Sequence, residues 1–425
     1  MDALAVASAA IMWMVHFLLL LFINFDARNR GIVAQYAATI YIFYTLTLLF
    51  PFSNHEHFDY VINYIPSAGT LFLGVCADLS VMLAIRWSFP PTGEPLARNP
   101  VGTERLGFAI LVVVASVALV IDIAMNQELL LLPKELYIAS EKVPNLLFFS
   151  IPAQLILLGG ALYSPFKSRS LKLVISVLAV AATALSVIQG YRGVALMVAI
   201  YFLYRKWPRA WPLAPAVLMT VAGELSNPIK YFVGGFFLND KFDGLAILEY
   251  YAEHLEEIFG LSGEQKAIVS NLVIGLHDLS LGEPILELRN LLPFTNALFG
   301  NITTTSASRL GELTGAGIGQ GTGYSFVLFT AESLLIAPLL LLLITKMMRV
   351  MSGTPLTFVS WTIFFSLMRD TPAFWAGELK MTFLLLVVIF LVSNFLRGVF
   401  KCAPTAPSAI EVVPETATLS KKQAY

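Results

Sequence analysis

Between Glu224 and Thr322 the chain opens with ELSNPIKYFVGGFFLNDKFDGLAILEYYAEHLEEIF (224–259) and closes with NITTTSASRLGELTGAGIGQGT (301–322). This is about a hundred polar, acid-rich residues set between two blocks of long apolar segments. Gly190-Tyr191-Arg192-Gly193 precedes the excursion, and Gly319-Gln320-Gly321-Thr322-Gly323-Tyr324-Ser325 ends it. A carrier that moves solutes through a bilayer keeps its polar groups among its helices at mid-depth, whereas here most of them collect on one side. Such a layout suits chemistry at the membrane surface.

Working outward, the composition sets the class. A mean hydropathy of +0.75, with 57% hydrophobic and only 13% charged residues, leaves too little polar surface for a soluble domain, so lipid must solvate much of the chain. A net charge of −1 with no Lys/Arg block gives no stripe for a phosphate backbone, and nucleic acid is not an expected partner. The 2 cysteines, Cys76 in an apolar segment and Cys402 at the start of the tail, imply no disulfide framework and no thiolate metal site.

Apolar runs long enough for a hydrocarbon core of roughly 30 Å predict an all-α, polytopic protein. About eleven transmembrane helices are expected, over 4–24, 31–50, 65–85, 106–126, 146–163, 173–189, 193–204, 212–223, 324–345, 356–375 and 379–396. The seventh and eighth are short. The organisation is therefore an N-terminal helix block (1–223), a long extracytoplasmic loop (224–323), C-terminal helices (324–396) and a tail (397–425) that reads as disordered beyond Ala403. No basic residue precedes the first span, so it is expected to be retained and not cleaved as a signal peptide. Within the loop, Leu245, Leu248, Ala252, Leu255 and Phe259 recur at helical spacing and predict an amphipathic helix over 242–259.

Lys and Arg set the orientation. Alternate connections carry Arg28 and Arg30; Arg86, Arg98 and Arg105; Lys167, Arg169 and Lys172; Arg205, Lys206 and Arg209; Lys346 and Arg349; and Arg397, Lys401, Lys421 and Lys422. These are 17 of the 27 basic residues. By the positive-inside rule they are cytoplasmic, and the N-terminus and long loop lie outside.

Against that bias, a few basic residues stand out. Arg192 sits between glycines at the outer end of a helix, where short connections hold few other cations. Snorkelling would explain an arginine at an interface, and anion binding explains one on the sparsely basic side. Arg369 falls some 20 Å up its helix, inside the apolar span, and needs a partner or an aqueous cavity there. Glu332 lies about 12 Å down the preceding span, so the two either pair and lock their helices or line a wet cleft. In the loop, Arg289 and Arg309 bracket a stretch rich in Asn and Thr, a composition that suits sugar recognition and ordinary loops alike. Glycines at 311, 315, 317, 319, 321 and 323 make either a hinge or a backbone cradle for phosphate or sugar oxygens. Asp240 and Asp243 lack the DxD spacing of a nucleotide-sugar metal site, and the histidines have no zinc spacing beyond a weak HEH at His55–His57. Neither metal nor cofactor is expected.

With these residues in place, the chain resembles the bacterial O-antigen polymerases, the Wzy-type oligosaccharide repeat-unit polymerases. The likeness rests on Gly190-Tyr191-Arg192-Gly193, the long external loop, the GxGxGYS stretch with Glu332 after it, and Arg369 high in a following helix. Tyr191 departs from the pattern, which has a smaller Ser, Thr or Asn before the Arg. The resemblance implies a GT-C-like glycosyltransferase that uses no nucleotide sugar. It would transfer a growing glycan from one undecaprenyl diphosphate carrier onto the repeat unit of another, at the outer face of the inner membrane. A chain-length regulator and a flippase would be its further partners. Arg192 and Arg369 would hold the diphosphate, with Arg289 and Arg309 as helpers. Tyr191, Gly319, Gly321 and Tyr324 would complete the substrate site, and Glu332, or Glu312 beside Arg309, would be the base.

Two other classes stay open. A ligase of the same superfamily would share fold and arginines and differ in its acceptor. A flippase or other transporter would use Asp78, Asp122, Glu332 and Arg369 as an intramembrane relay.

Overall fold

Aromatic and β-branched residues without a single charge fill Ile32–Thr45, helix α2, and the helix is buried from Val33 to Thr45. A helix apolar all round belongs in a core. Its counterpart is α9, Thr357–Arg369, buried at nearly every position up to Met368. Tyr36 and Trp361 join the two, stacked at 4.0 Å between ring centroids, and the Tyr36 hydroxyl donates to the Trp361 carbonyl oxygen at 3.2 Å.

The computed structural model describes residues 3–49, 52–57, 60–64, 68–91, 103–125, 147–188, 192–221, 249, 252–253, 333–369 and 372–400. Besides α2 and α9 these comprise α1 (Ala3–Ala27), a 3-10 turn (Leu46–Leu49), β1 (Phe52–His57), β2 (Tyr60–Tyr64), α3 (Ala68–Ser88), α4 (Thr103–Met125), α5 (Leu147–Leu162), α6 (Arg169–Ile188), α7 (Arg192–Lys206), a helical stretch over 213–221, α8 (Ser333–Met351) and α10 (Pro372–Phe400). α2 packs against α1, α3, α7, α8 and α9, while α9 packs against α2, α5, α8 and α10. The outer helices present apolar faces outward, as Phe22 on α1, Val114 on α4, Val180 on α6 and Phe390 on α10 illustrate. Surfaces of that kind are solvated by lipid.

The helical expectation holds, with one addition. β1 and β2 pair antiparallel as a hairpin that includes His55 and His57, so the described residues are not strictly all-α. Among the described residues, four helices are long and apolar enough to cross a membrane by length and composition: Val6–Ala27, Leu71–Ser88, Arg105–Met125 and Gly377–Phe395. The spans expected over 31–50 and 356–375 are shorter as helices. α2 tightens into the 3-10 turn at Leu46, and α9 reaches only Arg369 before Pro372 opens α10. At about 1.5 Å per residue each is roughly 20 Å long, less than a bilayer core.

The chain reversals at one end of the bundle are tight. Gly31 has φ 90° between α1 and α2, and Gly353 has φ 76° between α8 and α9, a backbone region that glycine enters freely and other residues resist. At the second reversal the Thr354 hydroxyl accepts from the Leu356 amide at 3.2 Å and donates to the Met351 carbonyl oxygen at 2.7 Å, so α9 starts from a fixed turn. The amphipathic helix expected over 242–259 lies outside the described residues except Glu249, Ala252 and Glu253, which are helical and exposed. The tail from Lys401 also lies outside them.

Candidate functional site

The basic connections gather at one end. Arg30 grips Asp26 through both carboxylate oxygens, Nε to Oδ2 at 2.9 Å and an Nη to Oδ1 at 3.0 Å, and Arg86 reaches the same Oδ2 at 3.2 Å. The other Nη of Arg30 donates to the Phe89 carbonyl oxygen at 2.5 Å, fastening the start of α2 to the end of α3. Gln35 donates to the carbonyl oxygens of Pro208 and Ala210, Asn24 accepts from the Leu213 amide, and the Arg28 guanidinium lies 5.8 Å from the Trp211 ring centre. Arg105 closes the next pair of connections by donating to the Pro165 carbonyl oxygen at 2.5 Å. The segments that alternate in basic content along the sequence are therefore neighbours in space.

At the opposite ends of α2, α7 and α9 lies a different cluster. Phe365 is its centre: the Arg369 guanidinium carbon sits 5.6 Å from its ring centre, and Tyr44 meets it edge-on at 6.1 Å. Gly193, the second residue of α7, lies so close that a β-carbon there would be 3.8 Å from Phe365 Cε1. One ring thus brings the start of α7, where Arg192 is the first helical residue, to the end of α9, where Arg369 is the last. A guanidinium at about 6 Å from a phenyl face gains from the ring quadrupole, and its place in the last turn of α9 suits the partial negative charge of the helix carbonyls.

Arg192 and Arg369 are the two arginines expected to hold the diphosphate, and the fold brings their helix ends together. Tyr191, Arg289, Arg309, Glu312, Gly319, Gly321, Tyr324 and Glu332 lie outside the described residues, and so does the whole glycine-rich run. Gly193 has ordinary helical backbone, and its neighbourhood leaves room for a methyl group.

A third cluster was not anticipated as a unit. His16 on α1, Asp78 on α3 and Tyr41 on α2 are all fully buried. His16 Nδ1 lies 2.5 Å from Asp78 Oδ2, and the Tyr41 hydroxyl donates to Asp78 Oδ1 at 2.7 Å. His16 Nε2 is buried and has no hydrogen-bond partner among the described residues. Asp78 stands about 15 Å from either end of α3, and His16 about 17 Å from the Ala27 end of α1. The signal in the sequence was an ionisable residue in the middle of each of two apolar spans; that they meet depends on which helix faces pack. Tyr41 and Tyr44 are about 4.5 Å apart along α2, so this cluster lies one turn deeper than the one around Phe365.

No protein-family model, characterised protein or solved structure was found to match the chain.

Proposed function

We propose that the chain is a membrane glycosyltransferase that joins oligosaccharide repeat units carried on undecaprenyl diphosphate, working without metal at the outer face of the bacterial inner membrane. The observation that carries this reading is the meeting of α7 and α9 at Phe365, which sets two arginines from distant parts of the sequence at the same end of the bundle, opposite the basic connections. In the reaction the acceptor hydroxyl oxygen bonds to the donor's anomeric carbon as the bond from that carbon to the diphosphate oxygen breaks. The leaving group departs with its electron pair and adds negative charge at the membrane surface. Two guanidinium groups answer that charge with fixed, bidentate, permanently ionised donors. The hydroxyl proton passes to Glu332 or Glu312, in keeping with the resemblance described above.

The test is Arg192→Ala and Arg369→Ala in cells that display the polymer. Each variant should remain in the membrane while the surface glycan falls from long chains to single repeat units. Lys at either position should restore little, since an ammonium is a point charge and not a planar fork. Long-chain glycan at wild-type level from both alanine variants would remove the arginines from the reaction and the reading with them.

A further inference from the structure

We propose that His16, Asp78 and Tyr41 form a proton-binding site at mid-depth in the helix bundle, taking up and releasing one proton shared between the imidazole and the carboxyl group. The inference is independent of the glycan chemistry above and rests on the geometry of the three side chains.

Both Asp78 oxygens are occupied, one by His16 Nδ1 at 2.5 Å and one by the Tyr41 hydroxyl at 2.7 Å. The carboxyl group is therefore held from two helices and orients the imidazole, as a carboxylate does for a working histidine. His16 Nε2, the atom on the far side of the ring, is buried without a hydrogen-bond partner among the described residues. A purely structural tie gains nothing from leaving that atom unsatisfied. A proton site needs it, because Nε2 is where the two charge states differ.

In the form with a net charge of −1, Asp78 is ionised, Nδ1–H and the Tyr41 O–H both donate to it, and Nε2 keeps its lone pair. One added proton on Nε2 gives an imidazolium beside a carboxylate. Moving the Nδ1 proton onto Asp78 then gives a neutral imidazole beside a carboxylic acid. Both proton-bound forms are net neutral, and both carry N–H at Nε2.

The surroundings favour binding one proton. α3 packs chiefly against α1, α2 and α8. The other titratable or charged groups of these four helices are Asp26 on α1, Tyr36 and Tyr44 on α2, Cys76 and Arg86 on α3, and Lys346 and Arg349 on α8. Asp26 lies about 15 Å along α1 from His16, and Arg86 about 12 Å along α3 from Asp78, both at the basic end where they bind each other. Thr345, next to Lys346, also belongs to that end through its hydrogen bond to Ser88. Among the described residues the cations of these helices lie at the basic end, and the two further helices packed on α2 carry theirs at their ends, Arg192, Arg205 and Lys206 on α7 and Arg369 on α9, so His16 is the group in contact with Asp78 that can balance its charge. Intramembrane His and Asp in such arrangements carry protons in many membrane proteins.

The full chain, reconstituted in lipid nanodiscs with 15N-labelled histidine, provides the test. His16→Gln assigns the His16 ring signals among the five histidines, and Asp78→Asn assigns the carboxyl infrared band. Over a pH series equilibrated from 4 to 10, the His16 signals should change in one step with one proton per chain, and any change in the Asp78 band should fall at that same pH. Tyr41→Phe, which deletes a single donor and preserves the ring, should displace that transition at least threefold in proton concentration. A change in the Asp78 band without one in the His16 signals, no change in either, or a transition that Tyr41→Phe leaves in place would each overturn the proposal.

Discussion

The two ends of the helix bundle are built on different terms. At the basic end, reversals are short, charged side chains find fixed partners, and backbone approaches backbone: Asp26 is gripped by Arg30 and Arg86, and Gly159 on α5 packs directly on Pro355. At the other end the two central helices stop short of a bilayer's thickness, and the contact that joins α7 to α9 is a phenyl ring with ordinary van der Waals spacing. One end is fixed by ion pairs and by backbone packed on backbone, and the other joins its helices through aromatic side chains at ordinary contact distances. Function should be sensitive where structure is tolerant, and the reverse.

The sharpest way to break this contrast is at Gly159. A β-carbon there would stand 2.1 Å from the Pro355 carbonyl oxygen, which belongs to backbone and cannot swing away as a flexible side chain would. Gly159→Ala must separate α5 from the turn that starts α9 and so disturb a helix buried along nearly its whole length. The expected cost is about 3 kcal/mol or more, at the upper end of overpacking penalties. Thermal unfolding in detergent should show a large drop, or little folded protein should be recovered. A variant as stable as wild type would mean that the basic end is not tightly fixed.

A smaller effect is expected at Asp26. Its carboxylate is partly buried and accepts three bonds from two guanidinium groups, so Asp26→Ala leaves Arg30 and Arg86 facing each other. Because Arg86 is almost half exposed, solvent screening discounts its share, and the predicted loss is about 1–2 kcal/mol, carried by Arg30. Arg86→Ala alone should cost less than about 0.5 kcal/mol. If the two variants lose equal stability, the cluster is a diffuse surface network and not a fastening of α1 to α2 and α3.

Much of this contrast was legible in the sequence, for reasons that also mark the limit. Alternating Lys and Arg content is a one-dimensional signal of which reversals share a side, and the fold brings Arg30, Arg86, Arg105 and the 206–212 connection to one end accordingly. Hydropathy found α1, α3, α4 and α10 because their outer faces are apolar. It overextended α2 and α9 because an apolar run reports burial and not where regular helix stops: Leu46–Leu49 is as apolar as α2 but 3-10 in form. Pro372 opens α10, where proline suits the first turn of a helix, and the span expected over 356–375 runs through that boundary. Arg192 and Arg369 stood out as cations on the sparsely basic side. His16, Asp78 and Tyr41 escaped as a set because their meeting depends on the faces α1, α2 and α3 turn to one another, which a single sequence does not encode in any local period.

The smallest change in stability, and the finest test of the difference between the ends, belongs to Gly193. A methyl group there would meet Phe365 Cε1 at 3.8 Å, a normal contact, and the residue sits in regular helix. Alanine is the better helix former by about 1 kcal/mol in a helix interior and by less so near the start, so Gly193→Ala should change stability by no more than about 0.5 kcal/mol in either direction. If the start of α7 must let a diphosphate approach its backbone, the same methyl group occupies space the ligand needs. Glycan transfer should then fall roughly tenfold, as expected for a lost approach worth about 1.4 kcal/mol, while the melting curve hardly moves. The paired measurement separates two accounts of this end. A fall in transfer with intact stability assigns the room beside Phe365 to a ligand. A destabilised protein would mean instead that α7 and α9 are as closely fitted here as α5 and Pro355 are at the basic end, and unchanged transfer with unchanged stability would place the approaching anion away from the α7 backbone.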